Sequence, residues 1–413
     1  MPKFYFIIAF IFLLAGFYCW SVSLEPGSIP VLRKFLLSSS SVKLLSLWFA
    51  VMAFSCLQAR LKPPAFMLLF GYFALSVLYI VLARFFSCSS RRWAAIYGLI
   101  VSLLIFVPIG IVQFVGLQVP FLLPILGPAS TLGYRNPAAH YIAMVLPFAV
   151  FGLCRHWRMW REKRGVVKLF LLVGFLLLIL ASVALLFMNY SRTAILAFLV
   201  EALVLPFAWL GLRRKGSDRV LQPRNWGRVL LCALLLGVLL SSLVMVFPES
   251  RKRVKSSFDK FAQGGVVQLL EFRYYHWANT MMMIRDNPVF GVGLGNWRFT
   301  YPLYYKSYAK DPLFNYQTQV RKAHNDYLQL AAECGIPALL LFLLLWGRQF
   351  YLLRYETVEN DAGEDWRLPL AASLLAFSVI MFFSFPMQMA YSRMFCFFLL
   401  ALGEARAWPA LSS

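Results

Sequence analysis

The sequence predicts an all-α integral membrane protein with about 11–12 transmembrane helices, and three observations lead to this fold class. Of the 413 residues, 61% are hydrophobic and 14% are charged, whereas soluble domains carry roughly 25% charged residues. Apolar stretches recur at about the length that crosses a bilayer. Lys and Arg outnumber Asp and Glu by 40 to 17 and gather in short loops. These features exclude soluble globular, disordered and secreted disulfide-rich proteins.

The apolar segments follow one another along the chain. They lie at 4–20, 42–57, 64–83, 93–118, 137–154, 166–188, 193–212, 228–247, 336–355, 369–387 and 391–407. The first is too long for a simple signal region and no small-residue cleavage site follows it, so we expect a retained helix. An odd number of segments would leave Lys3 outside the cytoplasm, and a further helix is therefore expected near 27–41.

Basic loops set the predicted orientation, because cytoplasmic loops are enriched in Lys and Arg. The stretches 155–164 and 213–228 are strongly basic, and the loop with Arg91 and Arg92 agrees in parity. Placing them in the cytoplasm leaves other connections outside. These are 119–136, the tight turn 189–192 and the polar block 248–335.

The polar block divides the chain into an N-terminal transmembrane bundle (1–247), the block itself (248–335) and C-terminal transmembrane helices (336–413). The block is too long and too patterned for a simple connector. It begins with a basic cluster: Arg251, Lys252, Arg253, Lys255 and Lys260. Since long translocated loops escape the charge rule, the cluster is either a solvated segment or a surface for a phosphate-bearing partner at the outer leaflet.

His324 is the candidate general base among the four histidines of the chain. Tyr327, Leu328 and Ala331 follow it at spacings that place them on one face of a short helix, and Gly335 is expected to end that helix. A histidine at the positive end of a helix favours the neutral imidazole, the form that accepts a proton near pH 7.

Two arginines are candidates for binding an anion. Arg192 lies in a polar turn between two apolar helices, and Arg273 opens a stripe with Trp277. One interpretation is that both side chains anchor their helices at the membrane surface, Arg192 by snorkelling and Arg273 as part of an interfacial aromatic belt. The alternative is phosphate binding, because a guanidinium fork matches two phosphate oxygens and keeps its charge.

The glycine-rich segment 291–295 and the absence of metal-binding motifs limit the ligands and cofactors that the sequence predicts. No strand–helix unit surrounds these glycines, so a tight turn after Pro288 is favoured over a dinucleotide-binding loop. The outside segments contain no HExxH motif and no paired-acid motif, and the cysteines form no CxxC pair. We therefore predict no metal and no cofactor, with arginine neutralising any phosphorylated substrate.

Four groups of residues, in order, resemble the bacterial O-antigen ligases and polymerases. They are Tyr134-Arg135-Asn136-Pro137 with Pro147; Ser191-Arg192; Arg273 and Trp277 with Asn287-Pro288 and the segment 291–296; and His324-Asn325 with Tyr327-Leu328, Glu333 and Gly335-Ile336. Together they span about half of the chain. Members of this family are inner-membrane glycosyltransferases that use polyprenyl-pyrophosphate-linked glycans.

The resemblance implies a fold of the glycosyltransferase C type, in which 248–335 is a large periplasmic loop with active-site helices. It also implies a multi-pass protein of the bacterial inner membrane whose partners are an undecaprenyl-pyrophosphate-linked glycan, lipid A–core and membrane lipid, with no nucleic acid. His324 would activate the acceptor hydroxyl, and Arg192 and Arg273 would bind the pyrophosphate. The secondary candidates are Arg135, His276, Arg285, Arg298 and Arg321.

The sequence favours a ligase but leaves other functions open. The compact size and the basic cluster point to an O-antigen ligase, since lipid A–core carries phosphates. A polymerase of the same family is the alternative, with a protein-directed oligosaccharyltransferase as a third. A transporter of lipid-linked sugars belongs to another class. It is less favoured, because the two halves show no repeat and intramembrane charges are few.

Overall fold

The computed structural model describes residues 28–117, 128–213, 248–270, 272–305, 319–355 and 366–405, and none of them forms a β-strand. The helices are α1 (Ser28–Ser38), α2 (Ser40–Gln58), α3 (Lys62–Ser87), α4 (Ser89–Phe114), α5 (Arg135–Glu162), α6 (Val166–Met188), α7 (Arg192–Arg213), α8 (Pro248–Leu270), α9 (Phe272–Asp286), α10 (Trp297–Tyr305), α11 (Asp326–Tyr355), α12 (Arg367–Phe383) and α13 (Ala390–Glu404). Short 3₁₀ turns occur at Ser130–Leu132 and Pro386–Gln388.

Six helices in the described part are long and apolar enough to cross a membrane: α2 to α6 and the segment Asp326–Leu353 of α11. They confirm the prediction of an all-α membrane protein. α12 is apolar but shorter. The segments predicted at 4–20 and 228–247 lie outside the described residues. The additional helix expected near 27–41 is α1, whose 11 residues rise only about 16 Å, roughly half of the hydrocarbon core.

The chain forms two compact units, of which the first comprises residues 1–92, 266–356 and 381–413. In this unit α2 packs against α3 and α11, and α13 packs against α3. Trp48 of α2 is buried at their junction, with its ring 5.4 Å from Tyr72 and 5.7 Å from Phe342 between centroids. Large aromatic side chains at such junctions bury much apolar surface and fix how the helices pack.

A buried carboxylate connects the ends of three helices in the first unit. Glu404, at the end of α13, accepts hydrogen bonds from the hydroxyls of Ser39 (2.9 Å) and Ser41 (2.6 Å). Arg348 of α11 lies 3.7 Å from the same carboxylate and donates to Ser41 at 2.6 Å. A buried charge is stable when it is paired and hydrogen-bonded in this way. The cluster therefore fixes α2, α11 and α13 together at one end.

The second unit comprises residues 93–265 and 357–380, and α5 packs there against α6 and α7. A Cβ added at Gly152 of α5 would lie 2.7 Å from the Phe175 ring of α6. The absence of a side chain at this position allows the two helices to approach closely. The guanidinium carbon of Arg155 of α5 lies 4.6 Å from the centre of the Trp93 ring of α4, and this cation–π contact joins these two helices.

Candidate active site

His324 lies in a loop that leads directly into α11. Asn325 caps this helix, because its side-chain oxygen accepts a hydrogen bond from the Leu328 amide at 3.0 Å, as asparagine commonly does at a helix start. The side-chain oxygen of Gln329 accepts from the Ala323 amide at 3.1 Å. The loop is thus hydrogen-bonded to the first turn of the helix on both sides of His324.

The backbone of His324 differs from the sequence prediction. We expected His324 at the start of the helix, on one face with Tyr327, Leu328 and Ala331, but the helix begins at Asp326 and His324 lies two residues before it. Its φ of 58° lies in the left-handed region. The reason is that Asn325 caps the helix. The helical geometry therefore starts only after Asn325 and does not include His324. A non-glycine residue in this conformation is uncommon and is often found at functional sites.

Aromatic rings surround the His324 imidazole. The rings of Phe385 and Phe272 contact it edge-on, with centroids at 4.8 and 5.1 Å. The His276 ring lies nearly parallel to it at 5.9 Å. His276 is buried and is itself packed against Tyr301 of α10 at 5.7 Å. Residues from α9 and from the segment before α13 therefore fix the orientation of the imidazole.

The surroundings of His324 keep its imidazole neutral. Burial, followed by the positive charge of Arg273 and then by His276, lowers the pKa of His324 to about 3. Arg273 also lies beside Phe272, with its guanidinium carbon 5.4 Å from that ring. The first unit therefore places the charge of the Arg273 guanidinium where it acts on the His324 imidazole. A neutral imidazole is the protonation state of a general base.

The glycine-rich segment 291–295 is a tight turn, as the sequence predicted. Its amides are used within the protein: Val292 donates to the carbonyl of Ala332 at 2.9 Å, and Gly293 donates to the carbonyl of Glu333 at 2.9 Å. A Cβ added at Gly291, whose φ is 67°, would lie 2.4 Å from the Glu333 backbone. The helical geometry of α11 is interrupted at Gly335, where φ is 85° and ψ is 168°. The turn therefore packs on the end of the short first part of α11, before Gly335, and does not form a phosphate-binding loop.

Glu333 connects this turn to the rest of the site, a role that the sequence analysis did not recognise. One carboxylate oxygen accepts from the Gly295 amide and the other from the Gln329 side chain, both at 2.9 Å. Its backbone carbonyl also accepts from the Ser55 hydroxyl of α2 at 2.7 Å. Since Gln329 in turn binds the loop before His324, Glu333 supports that loop indirectly.

The 3₁₀ turn Pro386–Gln388 was also missed. The Met387 amide donates to a carboxylate oxygen of Asp326 at 2.7 Å, and the ammonium of Lys322 donates to the side-chain oxygen of Gln388 at 2.9 Å. Burial lowers the pKa of Lys322. These partners are separated by more than sixty residues, and no local pattern in the sequence indicates such a contact.

The remaining candidates of the first unit lie at its surface. Arg298 is exposed and stacks on Phe299, with its guanidinium carbon 4.3 Å from the ring. Arg285 and Arg321 are exposed. Among the described residues, no three His, Cys, Asp or Glu side chains gather as a metal ion requires.

Two further candidates belong to the second unit. Arg192 is the exposed first residue of α7, directly after the buried residues Asn189 and Ser191. The Asn189 side chain donates to the Leu185 carbonyl at 2.8 Å, a hydrogen bond that caps the C-terminal end of α6. The next helix begins three residues later, at Arg192. Arg135 is the exposed first residue of α5. The roles of both remain predictions.

Comparison with known families matches residues 177–343 to the family described as O-antigen ligase. The matched region begins in α6, ends within α11 and contains Arg192, Arg273 and His324. None of the curated proteins that were compared matches the chain.

Proposed function

We propose that the chain is an O-antigen ligase, because residues 177–343 match the family described as O-antigen ligase, whose members are membrane glycosyltransferases of the ligase or polymerase type. It transfers a glycan from undecaprenyl pyrophosphate to a sugar hydroxyl of lipid A–core at the periplasmic face of the bacterial inner membrane. The proposed fold is of the glycosyltransferase C type. The observation that carries the proposal is the neutral imidazole of His324 beside the cationic Arg273.

In the proposed reaction His324 is the general base. Its imidazole takes the proton of the acceptor hydroxyl, and the oxygen forms a bond to the anomeric carbon of the glycan. The bond between that carbon and the pyrophosphate oxygen breaks, and its electron pair leaves with undecaprenyl pyrophosphate. The proton is then released from the imidazolium to solvent. Proton removal by a positioned base typically contributes 10²–10⁴-fold to the rate.

Arginine supplies the countercharge for the leaving group in this proposal. Negative charge grows on the pyrophosphate as the bond breaks, and fixed guanidinium groups stabilise it without the need to reorganise. We assign this role to Arg273 because its charge acts directly on His324. Arg192 is assigned to the donor from its position in the family motif, and its exposure at the start of α7 is compatible with a substrate contact.

Replacing Arg273 with alanine should raise the KM for the lipid-linked donor by about 10- to 100-fold. This range corresponds to the loss of a hydrogen bond to a charged group, about 1.5–3 kcal/mol. Arg273→Lys should restore only part of the affinity, because an ammonium keeps the charge but lacks the two-pronged geometry. Steady-state transfer assays with varied donor would measure both, with Arg33→Ala, an exposed arginine of α1, as the matched control. An unchanged donor KM in Arg273→Ala would remove Arg273 from the site.

The basic helix α8 favours the ligase over the polymerase. Arg251, Lys252 and Lys255 are exposed on it, and the Phe258 side chain beside them is 71% exposed. A helix with exposed cations and an exposed aromatic ring suits the headgroup region of a membrane. Lipid A–core presents phosphates in that region, and we propose that α8 contacts them.

An acceptor panel tests the function. Purified protein in detergent would receive a polyprenyl-pyrophosphate-linked glycan together with lipid A–core, a second lipid-linked glycan or a pilin-type protein. We expect transfer to lipid A–core, and less of it when the lipid A phosphates have been removed. The charge reversal Lys252→Glu/Lys255→Glu should raise the KM for phosphorylated lipid A–core and leave the donor KM unchanged.

Each other outcome of the panel selects a different function. Extension of the second lipid-linked glycan would assign a polymerase, and glycosylation of the pilin-type protein would assign an oligosaccharyltransferase. Movement of the lipid-linked glycan across the bilayer of proteoliposomes, without transfer to any acceptor, would assign a transporter and overturn the proposal.

A further inference from the structure

Three contacts join the loop of His324 to the segment between α12 and α13. Lys322, two residues before His324, donates to the side chain of Gln388 at 2.9 Å. Asp326, two residues after it, accepts from the Met387 amide at 2.7 Å. Between these two bonds the Phe385 ring packs edge-on against the imidazole, with centroids 4.8 Å apart. The contacts on the two sides of His324 thus converge on one short segment, Phe385–Gln388.

The loop needs such support because helix geometry does not fix it. His324 precedes α11 and has a left-handed backbone, a conformation that persists when surrounding contacts determine it. The segment Phe385–Gln388 is itself rigid in form, since the amides of Gln388 and Met389 close its 3₁₀ turn at 3.0 Å each. A rigid turn that binds the loop on both sides restricts both the position and the tilt of the imidazole.

The chemistry of Lys322 indicates a positioning role. Its ammonium is engaged by Gln388, and the carboxylates of Asp326 and Glu333 act on it electrostatically. Arg393 and the exposed Arg298 act on it in the opposite sense. The Gln388 side chain is therefore the hydrogen-bond partner that holds the ammonium in place.

We propose that Lys322, Asp326 and the segment Phe385–Gln388 form a latch that positions the His324 imidazole for proton transfer. The inference rests on the proposed role of His324 as the base. In the latch, Lys322 and Gln388 are positioning residues that act through His324 and do not contact substrate. A displacement of a reacting group by about 1 Å costs roughly 100-fold in rate, so loosening the latch should affect kcat much more than donor binding.

Gln388→Ala tests the latch by removing the acceptor for Lys322. We expect kcat to fall by about 10- to 100-fold, with the donor KM changed less than about threefold. Gln388→Glu should restore most of the rate, because a carboxylate also accepts a hydrogen bond from the ammonium. Gln58→Ala, at an exposed glutamine of α2, is the matched control and should transfer normally. Lys322→Met breaks the same bond from the other side and should reproduce Gln388→Ala if the latter does not yield folded protein.

A second measurement reports the latch without activity. Protein labelled with ¹³C at the histidine ring gives four ring signals, one for each histidine, which can be assigned by substitution and titrated. The groups that face His324 and set its pKa are Arg273 and His276, in addition to burial. Opening the loop to water should raise the pKa of His324 in Gln388→Ala from about 3 towards the ordinary 6.5. The pH profile of kcat should then gain an acidic limb that the unsubstituted protein lacks.

The outcomes separate the latch from the function. If Gln388→Ala retains its kcat and its His324 signal while His324→Ala is inactive, the latch is wrong and the proposed base stands. If His324→Ala transfers glycan normally, the proposed function fails, and with it the catalytic meaning of the latch, whatever the ring signals show. A kcat loss in Gln388→Ala that Gln388→Glu does not restore, with an unchanged His324 titration, would also overturn the latch.

Discussion

His324→Ala should lower glycan transfer by about 10²–10⁴-fold, the usual contribution of a positioned general base, and leave donor binding nearly unchanged. The neutral imidazole is the only group that this substitution removes, and the cation beside it, Arg273, remains. Transfer assays and equilibrium binding of the lipid-linked donor to purified protein would measure the two effects separately. Loss of transfer with retained binding is the result expected for a residue that acts in the chemical step.

His156→Ala is the matched control for this substitution. His156 is a histidine of α5 in the second unit, where its ring nitrogen Nδ1 lies 2.9 Å from the Gly152 carbonyl and its ring packs on Phe175 at 4.7 Å. These contacts are those of a packing residue, so transfer should persist in this variant. Normal transfer by His324→Ala, or equal losses in both variants, would contradict the assignment of the base.

The pH dependence of transfer follows from the same environment. The pKa of His324 lies near 3, below the ordinary value, so the neutral form is present above that pH and is lost only as the pH falls towards 3. Transfer in the unsubstituted protein should therefore change little between about pH 5 and pH 8 as far as His324 is concerned. An acidic limb centred near pH 6.5 would show that the imidazole is exposed to solvent.

Features set by local chemistry were predictable from the sequence. Long apolar stretches predicted the membrane helices, because a bilayer demands a minimum span of apolar residues. The break at Gly335 and the turn at 291–295 were predicted from glycine and proline, whose backbone preferences act within a few residues. The proximity of Arg273 and His324 was carried by the family motif, since their separation in the chain allows no local argument.

The support of the site was not predictable, for a physical reason. Two contacts support the loop of His324, one between Asp326 and Met387 and one between Lys322 and Gln388. The residues of each pair meet only because the helices between them pack in one arrangement, and none of the four residue types is unusual at its position. The cap at Asn325 was available from the sequence, because asparagine is a preferred residue at a helix start. A cap at Asn325 starts the helix at Asp326, which moves His324 from the predicted helix start to the loop just before it.

Gly335→Ala is expected to prevent stable folding of the site. The φ and ψ of Gly335 are 85° and 168°, a region open essentially only to glycine, and strain of this kind costs of order 1–3 kcal/mol. A Cβ there would also lie 2.0 Å from the carbonyl oxygen of Val289 and 2.9 Å from the Phe290 amide nitrogen, both backbone atoms. The adjacent Ile336 amide donates to the Pro288 carbonyl at 2.8 Å, so the two segments have no freedom to separate without losing that bond. We expect a destabilisation of about 3 kcal/mol or more.

Gly347→Ala provides the same substitution in the same helix with the opposite expectation. Gly347 lies in the regular part of α11, and an added Cβ would meet no atom within 4 Å. Alanine is favoured over glycine inside a helix by about 0.8–1 kcal/mol, so this variant should be at least as stable as the unsubstituted protein. Thermal unfolding in detergent and recovery after size-exclusion chromatography would compare the two variants. Because Gly335 separates the first part of α11, which carries Asp326 and Glu333, from the rest of that helix, its loss should also abolish transfer, whereas Gly347→Ala should transfer normally. Equal stability and activity of both variants would mean that the break at Gly335 does not shape the site.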